Sequence, residues 1–495
     1  MRAACRVAPL AAGVLALPAA ASVDQAIDGV MRPLADVVTG FIFFAVEGGD
    51  ASLPLIVLWL VAAGVFFTVY LGFINVRGFG HAVALVRGKF ADPNDPGEIS
   101  QFQALTTAVS GTVGIGNIAG VAVAISLGGP GATFWLIVAG LLGMSTKFVE
   151  CTLGVMYRGE SGGETAGGPM YYLRAGLERR GWPVVGRGLG ACYAAAMVIG
   201  CLGIGNMFQS NQAAAIFITV TGGADSAFAD RAWVLGLAMA IAVGLVIIGG
   251  IRSIAATTGK LVPAMAGLYV VSCIAILLVR ADALPGAIAA IVAGAFSPEG
   301  VAGGVLGVMI LGFRRAVFSN EAGLGSASIA HSTARTHRPV SEGYVALLEP
   351  FIDTVVICTM TALVIVTTVY DPALSGAGIS GIELTTKAFA SVWSGAPVPL
   401  SIAAILFAFS TMIAWSYYGL RAFTYLVGDS PLAALLFKLV FLAFVVLGAS
   451  VQLGALIDLS DALVFVVAIP NIIGLYIMAP EVKRALADYE AEVRG

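Results

Sequence analysis

Eleven runs of about twenty apolar residues follow one another along the chain, near 53–75, 102–127, 132–156, 190–220, 232–250, 261–279, 302–328, 344–369, 400–426, 432–450 and 461–479. Each is long enough to cross the roughly 30 Å hydrocarbon core of a bilayer as a helix. Lipid offers no partner to a backbone N–H or C=O, so only helices and closed barrels can span it, and continuous runs of this length select helices. Composition agrees: 59% of the 495 residues are hydrophobic, 11% are charged and the mean hydropathy is +0.95, outside the range of soluble domains. The longest loops, near 76–101 and 157–189, leave no room for a separate soluble domain. The expected architecture is therefore an all-α polytopic membrane protein with eleven transmembrane helices.

Residues 1–21 read as a signal peptide. Arg2 and Arg6 precede the apolar VAPLAAGVLALPAAA, and Ala19-Ala20-Ala21 before Ser22 offers a cleavage site. The competing reading is an uncleaved anchor, for which the run is short and carries prolines. Residues 22–52 form an amphipathic segment expected to lie at the outer interface, 53–480 the transmembrane unit and 481–495 a tail. The connections after spans 1, 3, 5, 7 and 9, with the tail, carry sixteen lysines and arginines between Arg77 and Arg494. The alternate connections hold Arg231, Arg280 and Lys387 among seven acidic residues. By the positive-inside rule the mature N-terminus is outside and the C-terminus cytoplasmic, as in a multi-pass protein of a bacterial inner (plasma) membrane. No basic run suggests nucleic acid, and the six cysteines suggest neither a disulfide framework nor a metal site.

The polar chemistry sits inside the apolar runs. Span 2 contains GTVGIGNIAG, Gly111 to Gly120, which falls about half way across at 1.5 Å per residue. Irregular backbone at membrane depth is tolerated only where it is buried in protein or lines a cavity. A helix unwound there offers N–H groups at the start of its outer half, which suit a carboxylate, and carbonyls at the end of its inner half, which suit a small cation. Thr112 and Asn117 add a hydroxyl and an amide. The competing reading is packing, since Gly116 and Gly120 at four-residue spacing also let helices approach closely.

Span 7 contains a second polar interruption, GFRRAVFSNEAGLGSASIAHS from Gly312 to Ser332, with Arg314, Arg315, Asn320 and Glu321. Two interrupted helices five spans apart fit two inverted halves, about 102–280 and 302–480, each opening with a broken helix around a midplane site. Span 4 adds Asn206, Gln209 and Asn211. Span 9 adds Ser410, Thr411, Trp415, Ser416, Tyr417 and Tyr418, for which back-bonded hydroxyls and an interfacial aromatic belt are the competing readings. His81, His331 and His337 are expected in or beside solvated loops, and Lys147 and Glu150 receive no role. No acidic residue is evident beside the candidate site, which suits a zwitterion better than a cationic amino acid.

The stretches TVGIGNIAGVAVAISLGGPGATFWLIVAGLLGMSTKFVE (112–150), GGPMYYL (167–173), GNMFQSNQ (205–212), FSNEAGLGSASIAH (318–331) and AWSYYG (414–419) together resemble the alanine or glycine:cation symporter family. The matches run along almost the whole chain past residue 50. The resemblance implies a secondary active transporter with a five-plus-five inverted-repeat (LeuT-type) fold that imports alanine or glycine with sodium, in some members with protons. It implies no cofactor, no enzymatic activity and no obligate protein partner. Carried over, Thr112, Gly114, Gly116 and Asn117 would hold the substrate carboxylate, and Gln209 and Trp415 would line the pocket, with Gly312 and Phe313 at the span 7 break. Gly111, Gly114, Ser410 and Thr411 would bind sodium. Two departures stand out: Thr133-Phe134-Trp135-Leu136-Ile137 after GGPGA, and Ala414 where glycine is common, whose methyl could shift Trp415 and alter substrate size selection. A channel would want rings of acidic or hydroxyl residues from repeated subunits, an intramembrane enzyme a nucleophile with a base or metal ligands, and a sensor a soluble output domain. None is visible in the sequence.

Overall fold

The computed structural model describes residues 32–33, 36–48, 51–296, 303–370, 381–450 and 454–494. The expected signal peptide lies outside them. The chain is built almost wholly of helices: α1 Leu55–Tyr70, α2 Phe79–Val86, α3 Gln101–Thr112, α4 Val121–Gly128, α5 Gly131–Met156, α6 Pro169–Glu178, α7 Pro183–Leu202, α8 Phe208–Val220, α9 Ala232–Ile247 and α10 Gly250–Val279. The second part of the chain adds α11 Leu284–Phe296, α12 Gly304–Asn320, α13 Ser326–His331, α14 Pro339–Ala346, α15 Thr359–Thr368, α16 Ile382–Ala390, α17 Pro397–Val427, α18 Pro431–Ser450 and α19 Gly454–Arg494. π-helical turns at Gly116–Gly120, Gly203–Met207 and Phe351–Cys358 join α3 and α4 to one another, α7 to α8, and the α14 segment to α15.

Each apolar run of the sequence falls mainly on helix, with non-helical breaks at 113–115 and 321–325. Among the described residues seven helices are long and apolar enough to cross a membrane, or eight if the bent pair α3 and Gly116–Gly128 forms one span, and α1, α9 and α11 are shorter apolar helices. Helices α11 and α16, in connections expected to be loops, were not foreseen. Nor was the helical course of the tail, where α19 continues to Arg494. Two short antiparallel hairpins flank the bundle: Ala45–Gly48 pairs with Ala51–Pro54, and Gly159–Ser161 with Glu164–Ala166. In the second, Gly162 and Gly163 take φ of 62° and 79°, the pair of positive angles that a tight two-residue turn requires.

The bundle is apolar outside and encloses a set of buried polar residues among its apolar core. Leu237, Ile241 and Leu245 of α9 and Leu435, Leu439 and Val440 of α18 are exposed, while Thr107, Ser110, Asn117, Lys147, Glu150, His331, Glu342, Glu349 and Asp353 have no accessible surface. A face of that kind is stable against lipid, which leaves no hydrophobic drive between helices, and polar residues are admitted inside where they are bonded. The interior is held by close packing and hydrogen bonds instead. Gly131 presses on the backbone of Gly294, where a Cβ would lie 2.1 Å from the carbonyl carbon, and Gly343 on Thr152, where it would lie 2.1 Å from Oγ1.

Candidate functional site

Helix α3 starts in a capping box, Ser100 accepting from the Gln103 N–H while the Gln103 side chain accepts from Ser100. It ends at Thr112, and the chain bends by 53° before continuing through Gly116–Gly128. In an unbroken helix the amides of Gly114 and Ile115 would close on the carbonyls of Ser110 and Gly111. Here the Gly114 N–H donates to Asn117 Oδ1 at 2.9 Å and the Ile115 N–H to Gln209 Oε1 at 3.3 Å. The released carbonyls turn to α17: Ser110 O accepts from Ser410 Oγ at 3.4 Å and Gly111 O from Trp415 Nε1 at 3.2 Å. The break thus presents two N–H groups and two carbonyls, the Gly114 N–H held by Asn117 of the break itself and the other three groups by Gln209, Ser410 and Trp415 from other helices.

Close approach depends on glycine at one position above the rest. A Cβ at Gly114 would lie 2.8 Å from Thr411 Oγ1 and 3.3 Å from Gln209 Oε1, and Thr411 Oγ1 is buried without a hydrogen-bond partner. The β-branched Thr411 cannot easily turn aside. Gly114→Ala is therefore expected to lower uptake by about tenfold or more with normal membrane yield, a change of at least 1.4 kcal/mol readable in a labelled-substrate assay.

The other expected residues divide. Thr112 bonds back to Ala108 O and Val109 O at 3.4 and 3.3 Å, so its hydroxyl caps its own helix. Gly116 faces Phe318, and Asn117 lies at the centre, fully buried. In span 4 only Gln209 turns to the break. Asn206 donates to Phe441 O at 2.7 Å and Asn211 to Gly448 O at 3.1 Å, both on α18. Gly312 and Phe313 require a correction. Helix α12 runs unbroken past them to Asn320, and the interruption is Glu321–Gly325, opened by Glu321 at φ 57°. Gly312 instead packs on Ala132 and Trp135, and Phe313 on Trp135.

Acidic residues surround the break, contrary to the sequence reading. The Asn117 Nδ2 group reaches Asp353 Oδ1 at 2.5 Å and Ser319 Oγ at 3.0 Å, while Ser319 and Thr354 each donate to Asp353 Oδ2 at 2.7 Å. Trp415 Nε1 is shared between Gly111 O and Glu321 Oε1, the latter at 3.1 Å. Positive φ at a non-glycine residue is strain, and it clusters where function over-determines the backbone. His331 is not solvated: it is fully buried between Glu342 and Glu349. Lys147 pairs with Glu349 at 2.9 Å, and Glu150 accepts from Asn471 Nδ2 at 2.8 Å and from the Gly325 N–H at 3.0 Å. A signal for Asp353 was present in the sequence: with Glu349, it is an ionisable residue inside an apolar run, which is rarely placed there without a partner.

The chain matches the sequence profile of the sodium:alanine symporter family over residues 43–495. It is 37% identical over 428 residues to the sodium/alanine symporter AgcS of Methanococcus maripaludis, a match covering 86% of this chain and 92% of that one. It is 35% identical over 443 residues to a Bacillus subtilis protein described as "Probable sodium/glutamine symporter GlnT", covering 89% of each. Among solved structures, MhsT in complex with L-phenylalanine, a LeuT-fold transporter, superposes with a TM-score of 0.56 over 78% of this chain and 89% of that one. At 18% identity that likeness speaks for the fold alone. Profile and relatives agree along nearly the full length, and the chain belongs to the sodium:alanine symporter family of sodium-coupled amino-acid transporters.

Proposed function

We propose that the protein imports a small neutral amino acid, alanine or glycine, together with sodium by alternating access, through eleven spans of which ten form two inverted halves. The hydrogen bonding at the break of span 2 carries this reading. A substrate carboxylate would replace the oxygens of Asn117 and Gln209 at the N–H groups of Gly114 and Ile115. Sodium would be held by the carbonyls of Gly111 and Gly114 with the hydroxyls of Ser410 and Thr411, all hard oxygen donors suited to such a cation. The buried, unpartnered Thr411 Oγ1 facing Gly114 supports that assignment. Trp415 and Gln209 would close the pocket around the side chain. Sodium binding would favour the outward-open state, and rocking of one half against the other would release both ligands inside, with the N-terminus outside and the C-terminus cytoplasmic.

Coupling to protons is the second reading, favoured by Asp353, which is fully buried and forms no ion pair among the described residues. Purified protein in liposomes separates the two. Labelled alanine is expected to accumulate when an inward sodium gradient is imposed, to saturate with concentration, and to fail to accumulate when a proton gradient replaces the sodium. Accumulation without sodium would overturn the coupling ion, and non-saturating flux would point to a channel.

A further inference from the structure

Glu342, Glu349 and Asp353 stand seven and four residues apart on the helical segment Pro339–Thr368, spacings that place them on one face. At 1.5 Å per residue they climb about 16 Å, from the first helical turn to the Asn117 site. All three are fully buried. The lower end adjoins the loops whose lysines and arginines mark the cytoplasmic side.

One group that can carry protons, His331, bridges the lower step, while Glu349 and Asp353 stand four residues apart, about one helical turn, on the same segment. His331 Nδ1 lies 2.7 Å from Glu342 Oε1, and its Nε2 faces Glu349 Oε2 at 3.8 Å. Both atoms of that second pair are buried without a hydrogen-bond partner, and a small rotation of the imidazole closes the distance to bonding length. Lys147 of α5 holds the other Glu349 oxygen at 2.9 Å, and Gln101 of α3 holds Glu342 Oε2 at 3.2 Å. Glu150 of α5 faces the cluster with Asn471 of α19, Glu321 follows α12, and Arg158 closes the lower mouth on the carbonyls of Ser332 and Ala334. Five buried carboxylates, Glu150, Glu321, Glu342, Glu349 and Asp353, thus share two buried bases, Lys147 and His331. A bundle interior cannot hold that excess of negative charge, so part of the set carries protons.

We propose that Glu349, His331 and Glu342 form a proton relay joining Asp353 at the transport site to the cytoplasm, and that a proton enters with the sodium and the amino acid. The relay rests on the transport reading given above. Asp353 enters the cycle with an O–H bond; that bond breaks as Glu349 takes the proton, and Lys147 keeps Glu349 from retaining it. Glu349 passes the proton to His331 Nε2, His331 releases the proton on Nδ1 to Glu342, and Glu342 yields it to cytoplasmic water. The cycle closes when Asp353 takes a new proton from the outer side with the substrate and the imidazole turns over to restore its Nδ1–H, so one proton crosses per cycle.

The test uses the full chain in liposomes with a pH-sensitive dye inside, an inward sodium gradient and labelled L-alanine. Wild-type uptake is expected to acidify the lumen. His331→Asn and Glu342→Gln are each expected to reduce alanine-dependent acidification by about tenfold or more. Both should retain alanine-for-alanine exchange, at equal sodium and pH on the two sides, to within about twofold, because exchange requires no proton release. Exchange also reports that the variants are folded. Sodium-driven uptake by the wild type without acidification overturns the relay alone, as does wild-type acidification by both variants. Loss of exchange in both variants overturns it too, since the pair would then be structural. Absence of alanine uptake under any gradient overturns the transport reading and the relay with it.

Discussion

Asn117→Ala is expected to reduce sodium-dependent uptake of labelled alanine by roughly 100-fold or more, with membrane insertion unchanged. The amide satisfies both sides of the break at once: Oδ1 accepts from the Gly114 N–H at 2.9 Å, while Nδ2 donates to Asp353 Oδ1 at 2.5 Å and to Ser319 at 3.0 Å. Truncation leaves a buried amide and a buried carboxylate short of partners. Each unpaired group costs about 1–3 kcal/mol, more where it is charged, and about 2.7 kcal/mol is already 100-fold. Insertion follows the hydropathy of the run, which the substitution raises. Asn117→Asp keeps the size and sets a second carboxylate against Asp353, so it should not rescue. Uptake and membrane yield measured side by side decide the matter, and wild-type uptake by the alanine variant would remove Asn117 from the site.

Trp415→Ala is expected to abolish uptake to a similar extent and also to lower the melting temperature of the purified protein. The indole is 2% exposed and lies on bare backbone, since a Cβ at Gly205 would fall 2.2 Å from its Cγ. Removing a buried tryptophan costs about 3–5 kcal/mol through lost contacts and the cavity left behind. The indole N–H also ties Gly111 O to Glu321, joining the two interrupted helices. Trp415→Phe separates these contributions: it restores most of the packing but not the donor, and uptake should fall by about tenfold, the worth of one buried hydrogen bond. Uptake by Trp415→Phe as low as that of Trp415→Ala would make the N–H the larger contribution, and wild-type uptake by Trp415→Ala would remove it from the site.

Much of the site was legible because glycine and asparagine inside an apolar run have few reasons to be there. That logic located the break of span 2, and the family resemblance pointed to Gln209, Ser410, Thr411 and Trp415, which stand beside it. It could not tell which way neighbouring residues point. Asn206 and Gln209 differ by less than one turn, yet the π-helical turn Gly203–Met207 sends one to α18 and the other to the break. A π turn inserts an extra residue into the helix and rotates all that follows, and no composition announces it. Gly312 and Phe313 failed for a related reason: glycine there serves packing on Ala132 and Trp135, and the interruption comes at Glu321.

The sequence by itself determined the solvent, where the long apolar helices lie and the end at which the positive charges gather, because transfer into lipid is a property of each run taken alone. Its glycines also marked where one helix would open. Only the tertiary structure decided what surrounds that opening. Glu349, Glu342, His331 and Lys147 come from three separate stretches of the chain and are tolerable at this depth because they pair with one another, while Asp353 is held by Asn117, Ser319 and Thr354. Their pairing is a fact of packing between helices, which hydropathy along the chain does not encode.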